Sequence, residues 1–307
     1  MRSRSWAAVC AALVGLAVAA PASHAGTPDP CAPWTVNVLA TGLGSLENLE
    51  PDGKDGLYVS ASTQNAVLRL TRTAPPAVAV PGLTSPGGLR VRGATLYFTT
   101  GDAAASGVLG RADGTIDRLD LRTGRRTTWA SGLTMPNGLV FLPDGSALTS
   151  RDVAGQSPTG ITRVRPSGAV QPSWSDQADS NGLAVDPTGR WLYSDETFTL
   201  ASNVYRTEIA HPAHREVVAS LFAPGVPKGL DDLTLASSGV LYVAANSAGQ
   251  VIRLDPRNGR SCVVASGLTT TSAVKQGRGR AFPPGRLYVT GFDGRVLELV
   301  PPRGVTP

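Results

Sequence analysis

The sequence predicts an all-β protein, a six-bladed β-propeller with four-stranded blades, closed by an N-terminal strand that completes the last blade. Three observations carry this expectation. Three short apolar signatures recur six times in a fixed order. Turn residues separate them, and no repeat holds an amphipathic helix of useful length. The last repeat runs out one strand short, while the chain start offers a spare strand, "WTVNVLATGL" from Trp34.

The first signature opens a strand: "ENL" at Glu47, "GGL" at Gly87, "NGL" at Asn137, "NGL" at Asn181, "DDL" at Asp231 and "SAV" at Ser272, in steps of 40, 50, 44, 50 and 41 residues. The second follows a turn such as "PDG" or "PTG": "LYVS" at Leu57, "LYFT" at Leu96, "ALTS" at Ala147, "LYSD" at Leu192, "LYVA" at Leu241 and "LYVT" at Leu287. The third reads "VLRL" at Val67, "IDRL" at Ile116, "ITRV" at Ile161, "VYRT" at Val204, "VIRL" at Val251 and "VLEL" at Val296. A period near 45 residues built from strands alone is the mark of a propeller. The arginines of the third signature (Arg69, Arg118, Arg163, Arg206, Arg253) are expected to snorkel between blades or pair at the rim.

Ahead of the repeats, residues 1–25 carry Arg2 and Arg4, the apolar run "WAAVCAALVGLAVAA" and then "SHA". A charged start, a short apolar stretch and small residues at its end read as a secretory signal peptide cut near Ala25. The run is too short for a permanent membrane span, which needs about 20 residues. The expected organisation is a signal peptide over 1–25, a mature N-terminal segment over 26–33, the propeller over 34–301 and a tail over 302–307. The product is then secreted, free of the membrane and a monomer. Cleavage removes Cys10 and leaves Cys31 and Cys262. An even count in an exported chain favours a disulfide between them, clasping the ring beside its seam.

The formal charge of +5 falls to +3 once Arg2 and Arg4 are lost. Only three lysines occur, and the arginines are dispersed. Nucleic-acid binding asks for a basic patch or stripe, so no nucleic-acid partner is expected.

The first signature opens the innermost strands, so its lead residues encircle one mouth of the central channel. Around that ring stand Glu47, Gly87, Asn137, Asn181, Asp231 and Ser272. Two acids and two amides aimed at one axis suit a hard divalent cation, and calcium tolerates such a mixed oxygen set. Magnesium asks for a stricter octahedron. Zinc is disfavoured, because the ring offers neither His nor Cys. Taken singly, Asn-Gly and Asp-Asp are ordinary turn residues; their shared register is what points to a site. The ends of the second strands rim the same mouth with Thr100, Arg151, Asp152, Glu196, Asn246 and Phe292. Thr100, Arg151, Glu196 and Asn246 are the candidate substrate contacts, and Arg151 would hold a carboxylate or phosphoryl oxygen.

The stretches "LENLEPDGKDGLYVS", "MPNGLVFLPDG", "SNGLAVDPTGRWLYSDET" and "GLDDLTLASSGVLYVAAN" resemble the gluconolactonase and senescence-marker-protein superfamily of six-bladed, calcium-dependent propellers. The chain is also similar to diisopropyl-fluorophosphatase and paraoxonase. The resemblance runs from about Trp34 to Pro301. It implies a calcium held by a Glu, two Asn and an Asp from four blades, here Glu47, Asn137, Asn181 and Asp231. It further implies hydrolysis of a lactone or ester, with Asp231 as general base or nucleophile. Two departures stand out. Paraoxonase-like members add a histidine pair over the metal, whereas the mature chain has only His211 and His214, in an outer loop. Asp232 follows Asp231 where many relatives have glycine, and is either a further ligand or a residue facing the neighbouring strand. The rival reading is a non-catalytic extracellular propeller whose calcium only stiffens the mouth while the rim binds a ligand, glycan or protein. Propellers similar to streptogramin lyase or strictosidine synthase are the other enzymatic alternatives. Scarce histidines argue against the first, and the Asn pair with Asp231 against the second.

Overall fold

The computed structural model describes residues 29–30, 32–152, 160–222 and 227–307. The expected signal peptide and Cys31 lie outside the described residues. Two strands precede the repeats: β1 (Asp29–Pro30) and β2 (Thr35–Ala40). Blade one is β3 (Leu46–Pro51), β4 (Leu57–Ala61), β5 (Ala66–Leu70) and β6 (Ala77–Val80). Blade two is β7 (Leu89–Arg92), β8 (Thr95–Thr100), β9 (Gly114–Asp120) and β10 (Arg126–Leu133). Blade three is β11 (Leu139–Phe141), β12 (Ala147–Thr149), β13 (Ile161–Val164) and β14 (Val170–Ser175). Blade four is β15 (Leu183–Val185), β16 (Trp191–Asp195), β17 (Asn203–Glu208) and β18 (Arg215–Ser220). Blade five is β19 (Leu230–Leu235), β20 (Leu241–Ala245), β21 (Gln250–Leu254) and β22 (Ser261–Ala265). Blade six is β23 (Thr271–Gln276), β24 (Leu287–Gly291) and β25 (Val296–Val300), with β2 as its outermost strand. The six-bladed propeller and its N-terminal closure are therefore as the repeats predict.

Six buried clusters lie between adjacent blades and close a ring. The period-two alternation of side chains builds them. On β20, Leu241, Val243 and Ala245 join the cluster shared with blade four, while Tyr242 and Ala244 join the one shared with blade six. On β4, Leu57, Val59 and Ala61 face blade six and Tyr58 faces blade two. A one-residue slip would swap every such pair, so the register of these inner strands is fixed by burial on both faces.

Closure uses more chain than expected. β2 runs antiparallel to β25, with Asn37 opposite Glu298. Just before it, β1 lies parallel to β22 as a fifth strand of blade five, with Asp29 opposite Cys262. Between them Trp34 is buried against Tyr242, ring centroids 5.5 Å apart, and its amide donates to the Val264 carbonyl at 3.1 Å. Cys262 lies on β22 and is not a free thiol. Blade two carries a short helix, α1 (Ala104–Leu109), between β8 and β9. No helix among the described residues is long and apolar enough to cross a membrane. Three of the five third-strand arginines pair with carboxylates as expected: Arg69 with Asp52 at 2.9 Å, Arg163 with Asp144 at 2.5 Å and Arg206 with Glu216 at 2.6 Å; Arg118 donates to the Thr127 hydroxyl at 3.0 Å.

Candidate functional site

The glycine of the x-Gly-Leu signature sets how closely the innermost strands approach. A Cβ on Gly138 would sit 2.5 Å from the Asn181 carbonyl oxygen, and one on Gly182 would sit 2.8 Å from the Asp232 Cα. Backbone occupies the space, so these positions exclude any side chain. The hydroxyls that end the second strands then fix the ring residues of the next blade. Ser60 donates to the Gly87 carbonyl, Thr99 to that of Asn137 at 3.3 Å, and Ser150 to that of Asn181. In blade six, Ser272 donates to the Leu46 carbonyl at 2.6 Å. Close approach plus a side chain–backbone stitch directs Glu47, Asn137, Asn181 and Asp231 toward the axis, whereas Ser272 spends its hydroxyl on the neighbouring backbone and stays out of the mouth.

The four expected ligands, Glu47, Asn137, Asn181 and Asp231, line one cavity of about 240 Å³ at the channel mouth. Asn137 Nδ2 donates to Glu47 Oε1 at 3.0 Å and to Asp102 Oδ2 at 3.1 Å. Asn181 Nδ2 donates to Asp231 Oδ1 at 3.0 Å and to the Thr197 hydroxyl at 3.1 Å. Asn246 Nδ2 reaches Asp231 Oδ2 at 2.9 Å, so both oxygens of Asp231 accept from amides. Asn246 is thus the one candidate substrate contact of the four that faces the cavity. Asp152 and Phe292, also foreseen at the rim, line it as well.

The other three contacts are used elsewhere. Arg151 is buried; its Nη2 donates to the Gly107 carbonyl under α1, and it lines a separate cavity. Thr100 shares a hydrogen bond with Thr115 at 2.8 Å. Glu196 accepts from the Asn203 amide at 3.0 Å and the Tyr205 hydroxyl at 2.8 Å, tying down its own loop. Thr100 and Glu196 are captured by groups on the next strand of their own blades, and Arg151 by the α1 carbonyl of blade two. His211 and His214 are exposed beside Glu208, away from the mouth. Asp232 faces the neighbouring strand: it pairs with the buried Lys275 ammonium at 2.5 Å and accepts from Asn48 at 3.1 Å.

Sequence reasoning missed Asp102, Met135, Thr197, Phe198 and Ser247, which complete the lining with Gly229. Asp102, Thr197, Phe198 and Ser247 lie two or three residues past the ends of second strands. That loop position was the available signal.

Four carboxyls therefore share a confined space: Glu47, Asp102, Asp152 and Asp231. Burial, reinforced by Asp152 and Asp232, pushes Glu47 up to about 7. Burial and then Asp179 push Asp152 up to about 6. Asp102 and Asp231 are driven well above the carboxylate range by burial, then by Glu47 and Asp152. Three oxygens, Asp102 Oδ1, Asp152 Oδ1 and Asn181 Oδ1, are buried without a hydrogen-bond partner. Crowded acids and orphaned acceptors, with no sulfur or imidazole, fit a hard, oxygen-seeking cation. Among the described residues, no three His, Cys, Asp or Glu side chains form a metal-holding group by themselves; half of the expected set is amide.

Residues 148–290 match the family model of the SMP-30/Gluconolactonase/LRE-like region. The match covers just under half of the chain. It runs from blade three into blade six and holds Asn181, Asp231 and Asn246, whereas Glu47 and Asn137 stand in front of it. The propeller is similar to a solved gluconolactonase from Xanthomonas campestris: 19% identity, 92% of this chain and 99% of that one covered, TM-score 0.70. It is also similar to the calcium-binding protein regucalcin from Agrobacterium tumefaciens, at 18% identity over 89% and 95% of the two chains, TM-score 0.67. Virginiamycin B lyase from Staphylococcus aureus shares the fold at 10% identity, covering 88% and 99%, TM-score 0.59. No curated protein matches the chain by sequence.

Proposed function

We propose that this protein is a divalent-cation-dependent hydrolase of lactones or related esters, with calcium as the ion, exported after removal of residues 1–25. The observation that carries the reading is the convergence of Glu47, Asn137, Asn181 and Asp231, from four blades, on one cavity. The segment match and the likeness to a gluconolactonase and to a calcium-binding regucalcin support it.

Those four residues would hold the ion, which when bound polarises the ester carbonyl and stabilises negative charge on its oxygen. Asp231 takes the proton of the attacking water. Amides from Asn181 and Asn246 donate to its two oxygens and fix its orientation. Two donors also favour its ionised form over the protonated one, against the burial that raises it. Asn137 bridges Glu47 and Asp102 and holds blades one, two and three in register at the mouth.

The test is a panel of lactones and aryl esters assayed with calcium and then with chelator. Chelator-sensitive turnover is the expected result. No turnover, together with a chelator-dependent fall in Tm, would replace the hydrolase with a binding propeller whose ion is structural. Export is tested by sequencing the N-terminus of the protein recovered from culture medium, expected to begin near Gly26.

A further inference from the structure

Blade two has no side chain in the ring, because its lead residue is Gly87. The space is filled from the loop after β8. A Cβ on Gly87 would lie 2.8 Å from Asp102 Oδ2 and 3.2 Å from the Asp102 Cβ. The Asp102 backbone is anchored there, its amide donating to the Ser85 carbonyl at 3.1 Å. Asp102 Oδ2 shares the Asn137 amide with Glu47, while Asp102 Oδ1 is buried and unpartnered in the same cavity as the orphaned Asn181 Oδ1. An isolated buried carboxylate oxygen is costly unless something positive meets it.

We propose that Asp102 is a fifth oxygen ligand of the cation, standing in the ring for the side chain that Gly87 lacks. The ion then meets three carboxylates and two amides, from blades one to five in turn. This rests on the cation site, not on hydrolysis, and a protein without esterase activity would still show it.

The test is calcium titration calorimetry on the mature protein, with melting curves in chelator and in calcium. Asp102→Asn is expected to weaken calcium about 10- to 100-fold, the loss of one charged partner in a confined site. Its Tm in chelator should hold or rise, because one crowded acid is gone. Gly87→Ala, which displaces Asp102 without removing its charge, should weaken calcium in the same direction. Asp55→Asn, a surface acid on blade one, should stay within about twofold of wild type. Calcium affinity of Asp102→Asn within about twofold of wild type would overturn the assignment. So would a variant whose Tm drops in chelator while its calcium-induced rise is intact, since that marks a merely structural carboxylate.

A second inference comes from what the mouth lacks. Among the described residues lining it there is no Lys, Arg or His, and Arg151 is turned to the Gly107 carbonyl. One divalent ion offsets two of the four acids. Phe198 and Phe292, 65% and 40% exposed, flank the opening with Met135. The geometry points to a substrate without an anionic group, presenting an apolar face to the two phenyl rings. The bond cleaved follows from the hydrolase reading; the charge preference concerns binding. With calcium-loaded protein, benzyl alcohol is expected to bind more tightly than benzoate, and phenyl acetate to be cleaved at least about tenfold faster than an aryl ester bearing a carboxylate. Tighter benzoate binding would overturn the preference whatever the turnover. Absence of turnover with both esters, with benzyl alcohol still favoured, would instead refute the hydrolase.

Discussion

Asp231→Asn separates the ion's hold on the fold from its chemistry. The substitution keeps the shape of the side chain. It leaves one acceptor oxygen where Asn181 and Asn246 now find two, so one donor loses its partner, at about 1–3 kcal/mol. Against that, it removes a carboxylate that burial, Glu47 and Asp152 all push toward protonation. The two terms oppose, and in chelator the variant's Tm should stay within a few degrees of wild type. Calcium changes the comparison. At free ion about 100 times Kd, wild type gains about 2.7 kcal/mol, and a chain of this size shifts by about 2–4 °C per kcal/mol, giving a rise of about 5–10 °C. Removing a buried charged partner costs at least about 3 kcal/mol, or more than a hundredfold in Kd. At the same ion concentration the variant then gains less than about 0.4 kcal/mol, about 1 °C. The assay is a pair of melts in calcium and in chelator, run beside turnover of a lactone the wild type cleaves. An unchanged calcium-induced rise would refute the ligand role, and unchanged turnover would refute the base.

Four further outcomes follow from the packing. Gly138→Ala should cost about 1–3 kcal/mol, because its Cβ meets the Asn181 carbonyl at 2.5 Å; circular dichroism melts would show a lowered Tm. Lys275→Met should cost about 3–5 kcal/mol by stranding Asp232 in the channel, with Lys275→Met/Asp232→Leu recovering most of it in the same melts. Reduction should add two hydrogens to the mature mass and lower stability by about 2–4 kcal/mol if Cys31 and Cys262 are joined; two thiols titrating without reductant would refute the clasp. Asp255, held down at about 2 by the Arg257 side chain, contributes stability that is present above the ordinary carboxylate value of about 4 and lost as pH falls toward 2. The Tm gap between wild type and Asp255→Asn should therefore be constant above about pH 4 and close below it.

The repeats made most of the fold legible, and the reason is physical. A blade buries both faces of its inner strands, so Leu57, Leu241 and their equivalents cannot slip in register without losing a core. The ring residues were legible for the same reason, since Gly138 and Gly182 permit only one approach of neighbouring backbones. What failed is what no repeat encodes. Arg151 stands at a rim position by register, yet α1, which no other blade has among the described residues, supplies the Gly107 carbonyl that captures it. Asp102 escaped because its blade carries glycine at the ring, and a residue from another segment fills the gap. The pairing of β1 with β22 rests on two residues, too few for any periodicity to register.

A division of labour follows. The glycines and the stitching hydroxyls of Ser60, Thr99 and Ser150 act on backbone, and would hold the ring whatever side chains it carried. The side chains at the mouth contribute the opposite sign. Glu47 sits at about 7 instead of near 4.5, and Asp152 at about 6 instead of near 3.8, so at neutral pH their ionisation works against the fold. Such a cluster persists only where the surrounding structure over-determines it, which here means six interblade cores and a backbone lattice independent of the acids. The unfavourable energy is confined to one end of the channel and is recovered when positive charge enters. One residue from Asp231, which has no cationic side chain on it among the described residues, Asp232 already has its cation in Lys275, which lines a different cavity. With the proposed cation in place, adjacent acids of opposite fate mark the boundary between the part of the channel that is finished by folding and the part that is finished by a ligand.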